Sequence, residues 1–127
     1  MEAKLYRIIF PVNDINKAEK FYSKILKQKG TRVSPGRHYF NLGGTILACY
    51  DPIADGDEKG NWEFHKNQYI YISVPDLENI KAEMENLDYK SIGVIKKMPW
   101  GERLLYANDP FGNPICFVDE KTVFMGN

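Results

Sequence analysis

Cys49 and Cys116 are the only thiols in the chain, and His38 and His65 are the only imidazoles. Two cysteines offer one disulfide at most, and their spacing forms no Cys-x-x-Cys metal clamp. Without a compartment that favours oxidation they read as reduced, buried thiols. No Ser–His–Asp or Cys–His arrangement gains support beyond the presence of those residue types. Asp55-Gly56-Asp57 carries a fragment of calcium-loop spacing, but the remaining ligands are missing, so it reads as solvated charge. Trp62 and Phe64 stand in a long polar connection, where large aromatics can fold back over a pocket or an interface.

Composition narrows the partners. The chain has 127 residues, enough for one compact domain. Apolar residues make up 43%, which excludes a disordered chain. Seventeen basic and seventeen acidic side chains cancel, leaving no field to draw the protein onto nucleic acid or anionic lipid. No apolar run is long enough to span a bilayer, and Met1-Glu2-Ala3-Lys4 leads straight into a strand-like segment with no signal peptide. A cytoplasmic protein with neither nucleic-acid nor membrane partner is expected.

The elements that must position these side chains show themselves in an internal repeat. Arg7-Ile8-Ile9-Phe10-Pro11-Val12-Asn13-Asp14-Ile15 returns as Tyr69-Ile70-Tyr71-Ile72-Ser73-Val74-Pro75-Asp76-Leu77. Each stretch is strand-like and ends in Val-x-Asp. Apolar residues then follow at Ile15, Ala18, Tyr22 and Ile25, and again at Leu77, Ile80, Met84 and Leu87, which is one face of a helix. Asp14 and Asp76 stand where N-caps belong. After the first helix come Thr31–Val33, His38–Leu42 and Thr45–Tyr50; after the second come Ser91–Lys97, Arg103–Ala107 and Pro114–Val118, with glycine-bearing turns between. The pattern predicts an α+β fold of two tandem βαβββ modules, 4–51 and 68–120, joined by a loop at 52–67 within one domain, 1–127.

Two such modules, with Val-x-Asp before each helix, resemble the glyoxalase, bleomycin-resistance and extradiol-dioxygenase superfamily, also called the vicinal-oxygen-chelate (VOC) superfamily. The most specific match is Pro99-Trp100-Gly101-Glu102-Arg103, then Asp109-Pro110-Phe111-Gly112-Asn113, then Ile115-Cys116-Phe117-Val118, which is similar to bleomycin-resistance-like members. The resemblance covers about Lys4 to Glu120 and implies a curved mixed sheet around a cleft. It also implies where a metal would sit: one ligand on the first strand of each module, seven residues before the Val-x-Asp aspartate, and one on the last strand. Here those positions are Arg7, Ala48, Tyr69 and Cys116. Arginine has no lone pair to donate, alanine offers nothing, and a single thiolate does not hold zinc alone. A metal site and cofactors are therefore expected to be absent.

Strand alternation extends this set. If Arg7 and Tyr69 face the hollow, Leu5, Ile9, Tyr71, Ser73, Pro114, Val118, Ile46 and Tyr50 share it. Tyr6, Ile8, Phe10, Leu47, Ile70, Ile72, Ile115 and Phe117 then lie under the helices. The expected ligand-binding residues are Arg7, Tyr50, Tyr69, Tyr71, Trp100 and Cys116. They suit a flat or amphipathic organic molecule, with any anionic group directed to Arg7. Alternatives stay open: Arg7 pairs with Glu102 or Glu120, the tyrosines merely fill space, and Trp100 packs its own turn. Cys116 should be an inert buried thiol, while His38 and His65 read as surface or strand residues. Three roles compete: metal-free binding or sequestration of a small molecule; a lyase or isomerase using Tyr69, Cys116, Glu102 or His38 for acid–base work; and an interaction role for the loop aromatics. Exposed sheet edges predict a homodimer.

Overall fold

The computed structural model of the chain describes residues 2–57, 66–87 and 92–126. Two compact units emerge, Met1–Phe64 and His65–Asn127, and each runs β-α-β-β-β. The first contains β1 (Arg7–Pro11), α1 (Ile15–Leu26), β2 (Thr31–Ser34), β3 (Arg37–Leu42) and β4 (Thr45–Tyr50). The second contains β5 (Ile70–Val74), α2 (Leu77–Asn86), β6 (Lys96–Lys97), β7 (Arg103–Asn108) and β8 (Pro114–Asp119), followed by a 3-10 turn at Glu120–Thr122. Strand order is β1-β4-β3-β2 in one sheet and β5-β8-β7-β6 in the other. The first strand of each module lies parallel to the last, and the other pairs are antiparallel.

Both helices start where the aspartates placed them. Asp14 accepts from the Lys17 amide at 3.1 Å and Asp76 from the Asn79 amide at 3.0 Å, each satisfying a donor that the first turn leaves unpaired. Helix α1 buries Ile15, Ala18, Phe21, Tyr22 and Ile25. Tyr22 meets Phe10 and Phe40 of the sheet with ring centroids 6.2 and 6.0 Å apart, and Phe21 stands edge-on to Tyr22 at 5.0 Å. Helix α2 buries Leu77, Ile80 and Met84 above a sheet face that contains the buried Ile72, Leu105, Ile115 and Phe117. Arg103 fastens this helix: its Nη1 donates to Asp119 at 2.8 Å and its Nη2 bonds Glu78 of α2.

Turn chemistry fixes the strand registers. Gly43 and Gly44, with φ of 66° and 103°, close β3 onto β4 in a two-residue turn, and Asn41 accepts the Gly44 amide at 2.8 Å. The β7–β8 turn is built around Asp109, which is fully buried. It accepts from the Phe111 amide at 2.9 Å, the Asn113 amide at 2.8 Å and the Asn113 side chain at 2.7 Å. That network explains why Asp-Pro-x-Gly-Asn stands here. It also sets the register that brings Tyr106 opposite Cys116.

Two expectations need correction. The strand expected at Ser91–Lys97 is much shorter: Ile92 makes a single bridge to Ala107 and the ladder resumes only at Lys96–Lys97, while Ser91 lies outside the described residues. Tyr6 does not pack under α1. It precedes β1 and is 59% exposed, with its hydroxyl turned to Arg7. Of the two readings for His38, the strand residue holds: it lies in β3, 4% exposed on the helix side of the sheet. Its Nδ1 accepts from Arg32 Nε at 3.2 Å, so Nε2 carries the proton and donates to the Lys29 carbonyl at 2.8 Å. His65, Trp62 and Phe64 lie outside the described residues.

Candidate functional site

On the face of the first sheet turned away from α1, β4 places the small Ala48 between two neighbours. Ile9 is its partner on β1 and Tyr39 its partner on β3. Arg7, two residues before Ile9, reaches across this floor. Its Nη1 donates to the Tyr39 hydroxyl at 3.3 Å and its Nη2 to the Tyr6 hydroxyl at 2.6 Å. The guanidinium carbon lies 5.4 and 4.9 Å from the two ring centroids, within cation–π range. Tyr6 is held in place because β4 continues pairing past the start of β1. The Ile46 amide donates to the Tyr6 carbonyl at 2.7 Å, and the Thr45 hydroxyl donates to the Leu5 carbonyl at 2.8 Å. Among the described residues of the first unit no carboxylate forms an ion pair with Arg7. Further along this face, Tyr50 lies under the Arg37 guanidinium at 4.4 Å and donates its hydroxyl to Asp57. That hydrogen bond, with Asp57 holding the phenol proton, pushes the Tyr50 pKa up.

The second module repeats the frame with different side chains. Cys116 stands where Ala48 stands, flanked by Tyr71 on β5 and Tyr106 on β7. Tyr69, in the place of Arg7, meets Tyr106 edge-on with centroids 5.0 Å apart. Leu104, Cys116 and Val118 form a buried patch against which Tyr69, Met98 and Tyr106 pack. The Lys96 ammonium sits 5.8 Å from the Tyr106 centroid. Trp100 donates its indole N–H to Glu102 at 2.7 Å, and the other Glu102 oxygen accepts the Phe124 amide at 3.0 Å. Trp100 is thus tied to its own turn while staying half-exposed.

Titration behaviour follows from these surroundings. Burial, reinforced by the Glu102 charge, pushes the Cys116 thiol up to about 12, so it is protonated and a poor nucleophile at neutral pH. The Tyr106 hydroxyl, followed by burial, holds the Tyr71 phenol above its usual value. Glu102 is held below the usual carboxylate range, first by the Trp100 indole and then by the Phe124 amide. Cys49 and Cys116 are both free and buried, and Cys49 points to the helix side of the sheet.

The strand register pairs Arg7 with Ile46, two places from Ala48, and Tyr69 packs against the patch that holds Cys116. Pairing of the third strands adds partners that alternation along single strands does not show. Tyr39 and Tyr106 occupy equivalent places on the third strand of each module, and Tyr6 flanks Arg7. The signal for the first two was present in the repeat, since each lies opposite the last-strand position once β3 and β7 are paired. The resulting donor chemistry does not fit a divalent cation. A guanidinium, a methyl group, a phenol and a protonated thiol stand at the four expected positions. Among the described residues no three His, Cys, Asp or Glu side chains gather into a metal-holding group.

The family profile of the Glyoxalase/Bleomycin resistance protein/Dioxygenase superfamily matches residues 4–117. The chain belongs to this superfamily. Solved structures agree on the fold of this superfamily member. A lactoylglutathione lyase from Agrobacterium tumefaciens is 19% identical, with 94% of this chain and 96% of that one covered and a TM-score of 0.72. A glyoxalase/bleomycin resistance protein from Albidiferax ferrireducens T118 is 17% identical over 90% and 97%, with a TM-score of 0.67. A protein from the mobile metagenome of V. Pseudocholerae is 22% identical over 94% and 95%, with a TM-score of 0.68. No curated protein matches the chain. Among the described residues no helix is long and apolar enough to cross a membrane.

Proposed function

We propose that this superfamily member binds a small aromatic or amphipathic organic molecule without using a metal ion. The observation that carries the reading is the side chain at the first ligand position, Arg7, a permanent cation already engaged by two tyrosines. A divalent ion beside it would meet like charge and no lone pair. The aromatic surface of Tyr69, Tyr71, Tyr106 and Trp100 supplies the apolar contact area such a ligand needs.

The rival reading, a lyase or isomerase, has less to work with. Cys116 keeps its proton, His38 is committed to a backbone carbonyl on the helix side, and both Glu102 oxygens already accept hydrogen bonds. Metal analysis of protein purified without chelators, followed by thermal-shift screening of aromatic and amphipathic compounds, tests the proposal. It expects no stoichiometric metal and a raised melting temperature with some of the compounds. One tightly held nickel, zinc or iron ion per chain sinks it. Homodimer assembly and a cytoplasmic location belong to the same proposal, and a solution mass of one chain per particle contradicts the first.

A further inference from the structure

We infer that Arg7, Tyr6 and Tyr39 form an oxyanion-binding site in the first module, selective for a carboxylate or similar group on the bound molecule. The argument is one of donor geometry. Both phenol oxygens accept from Arg7, at 2.6 and 3.3 Å. Their own O–H protons are therefore directed away from the guanidinium and remain available to donate. Among the described residues neither phenol oxygen shows any other hydrogen-bond partner, and no carboxylate of the first unit pairs with Arg7. The cluster thus presents two hydroxyl donors and the remaining guanidinium N–H groups, and among the described residues of its unit no carboxylate quenches them.

Such a cluster matches the planar, acceptor-only edge of a carboxylate. It is also preorganised. Tyr39 sits on β3 between two paired strands, and Tyr6 is tied along β4 through its own carbonyl. Arg7 itself is exposed, so the site can be reached. The second module offers the contrast: Tyr69 takes the place of the cation, and the same frame packs ring against ring. This assignment deepens the binding reading and rests on it for the organic part of the ligand, whereas the anion site stands on the first module alone.

Calorimetric titration of the full chain at low salt with 1-naphthoate, uncharged 1-naphthylmethanol and inorganic sulfate tests it. The naphthoate should bind at least tenfold tighter than the alcohol. Arg7→Gln should erase that difference, Arg7→Lys should restore only part of it, and Tyr39→Phe should weaken naphthoate by about three- to tenfold. Thermal melts confirm that each variant is folded. Equal affinity of the two organic probes for the unaltered chain overturns the site, as does an advantage of naphthoate that survives Arg7→Gln. If neither organic probe binds, sulfate held by the unaltered chain and lost in Arg7→Gln sustains the anion site while removing the binding reading. Failure of all three probes removes both.

Discussion

Replacing Asp109 with alanine takes away the acceptor for the Phe111 amide, the Asn113 amide and the Asn113 side chain in one step. Asp109 is fully buried and Asn113 is 2% exposed, so water cannot readily stand in for the carboxylate at the two Asn113 donors. The Phe111 amide is only part-buried and can recover a water partner. Each buried donor left unpaired costs about 1–3 kcal/mol, and the lost carboxylate volume adds to that, so Asp109→Ala should destabilise by about 3–5 kcal/mol. Asp109→Asn is the sharper comparison. Its carbonyl oxygen still accepts the two backbone donors, but its amide opposes the Asn113 amide, donor against donor, and about half the loss is expected. Urea unfolding followed by circular dichroism, with slopes compared between variants, gives both values. A loss below about 1 kcal/mol for the alanine variant refutes the claim that this carboxylate organises the turn. If that variant does not fold, the asparagine variant decides.

Other expectations follow from the same geometry. Cys116 should resist alkylation by iodoacetamide in the folded protein well above pH 9, reacting quickly only after denaturation; rapid labelling at pH 8 contradicts its burial. Its folded pKa lies above the unfolded value, so the linked stability is fully present below pH 9.0 and is lost as pH rises toward about 12, and Cys116→Ala should flatten that part of a stability–pH curve. Asp14→Ala and Asp76→Ala should each cost about 1 kcal/mol in denaturant melts and add when combined, because the caps lie in separate modules. Arg103→Met should loosen α2, raising amide exchange there more than in α1, since both its carboxylate partners lie in the second module.

What the sequence made legible was whatever depends on near neighbours or on repetition. Asp14 and Asp76 declare their helices through a cap followed by apolar residues at helical spacing, and Gly43-Gly44 declares a two-residue turn. The duplication then aligned Ala48 with Cys116 and Arg7 with Tyr69. Harder to read were the features that depend on pairing between distant strands. Tyr39 gains its role because β3 lies beside β4 in a register set by the Gly43-Gly44 turn, and only that pairing puts its ring within reach of Arg7. Alternation would put Tyr6 under the helix only if β1 began before Arg7, and the strand starts at Arg7. Between surface and strand for His38 the sequence left the choice open, because its partners Arg32, Glu19 and the Lys29 carbonyl are assembled only in the folded chain. The shortened β6 reflects interrupted pairing with β7. Gly93 donates to the Tyr106 carbonyl at 2.8 Å, and the ladder then lapses until Lys96.

The doubled frame also gives the molecule an internal control. Ala48 with Tyr39 and Cys116 with Tyr106 offer two backbones of the same register, and the residue two places before the β1 or β5 partner differs, arginine in one and tyrosine in the other. A reciprocal exchange, Arg7→Tyr with Tyr69→Arg, would move a positive charge from one copy to the other without altering strand order or turn chemistry. That exchange separates what the charged side chain contributes to each half from what its neighbours contribute, since Tyr6 flanks Arg7 where Gln68 precedes Tyr69.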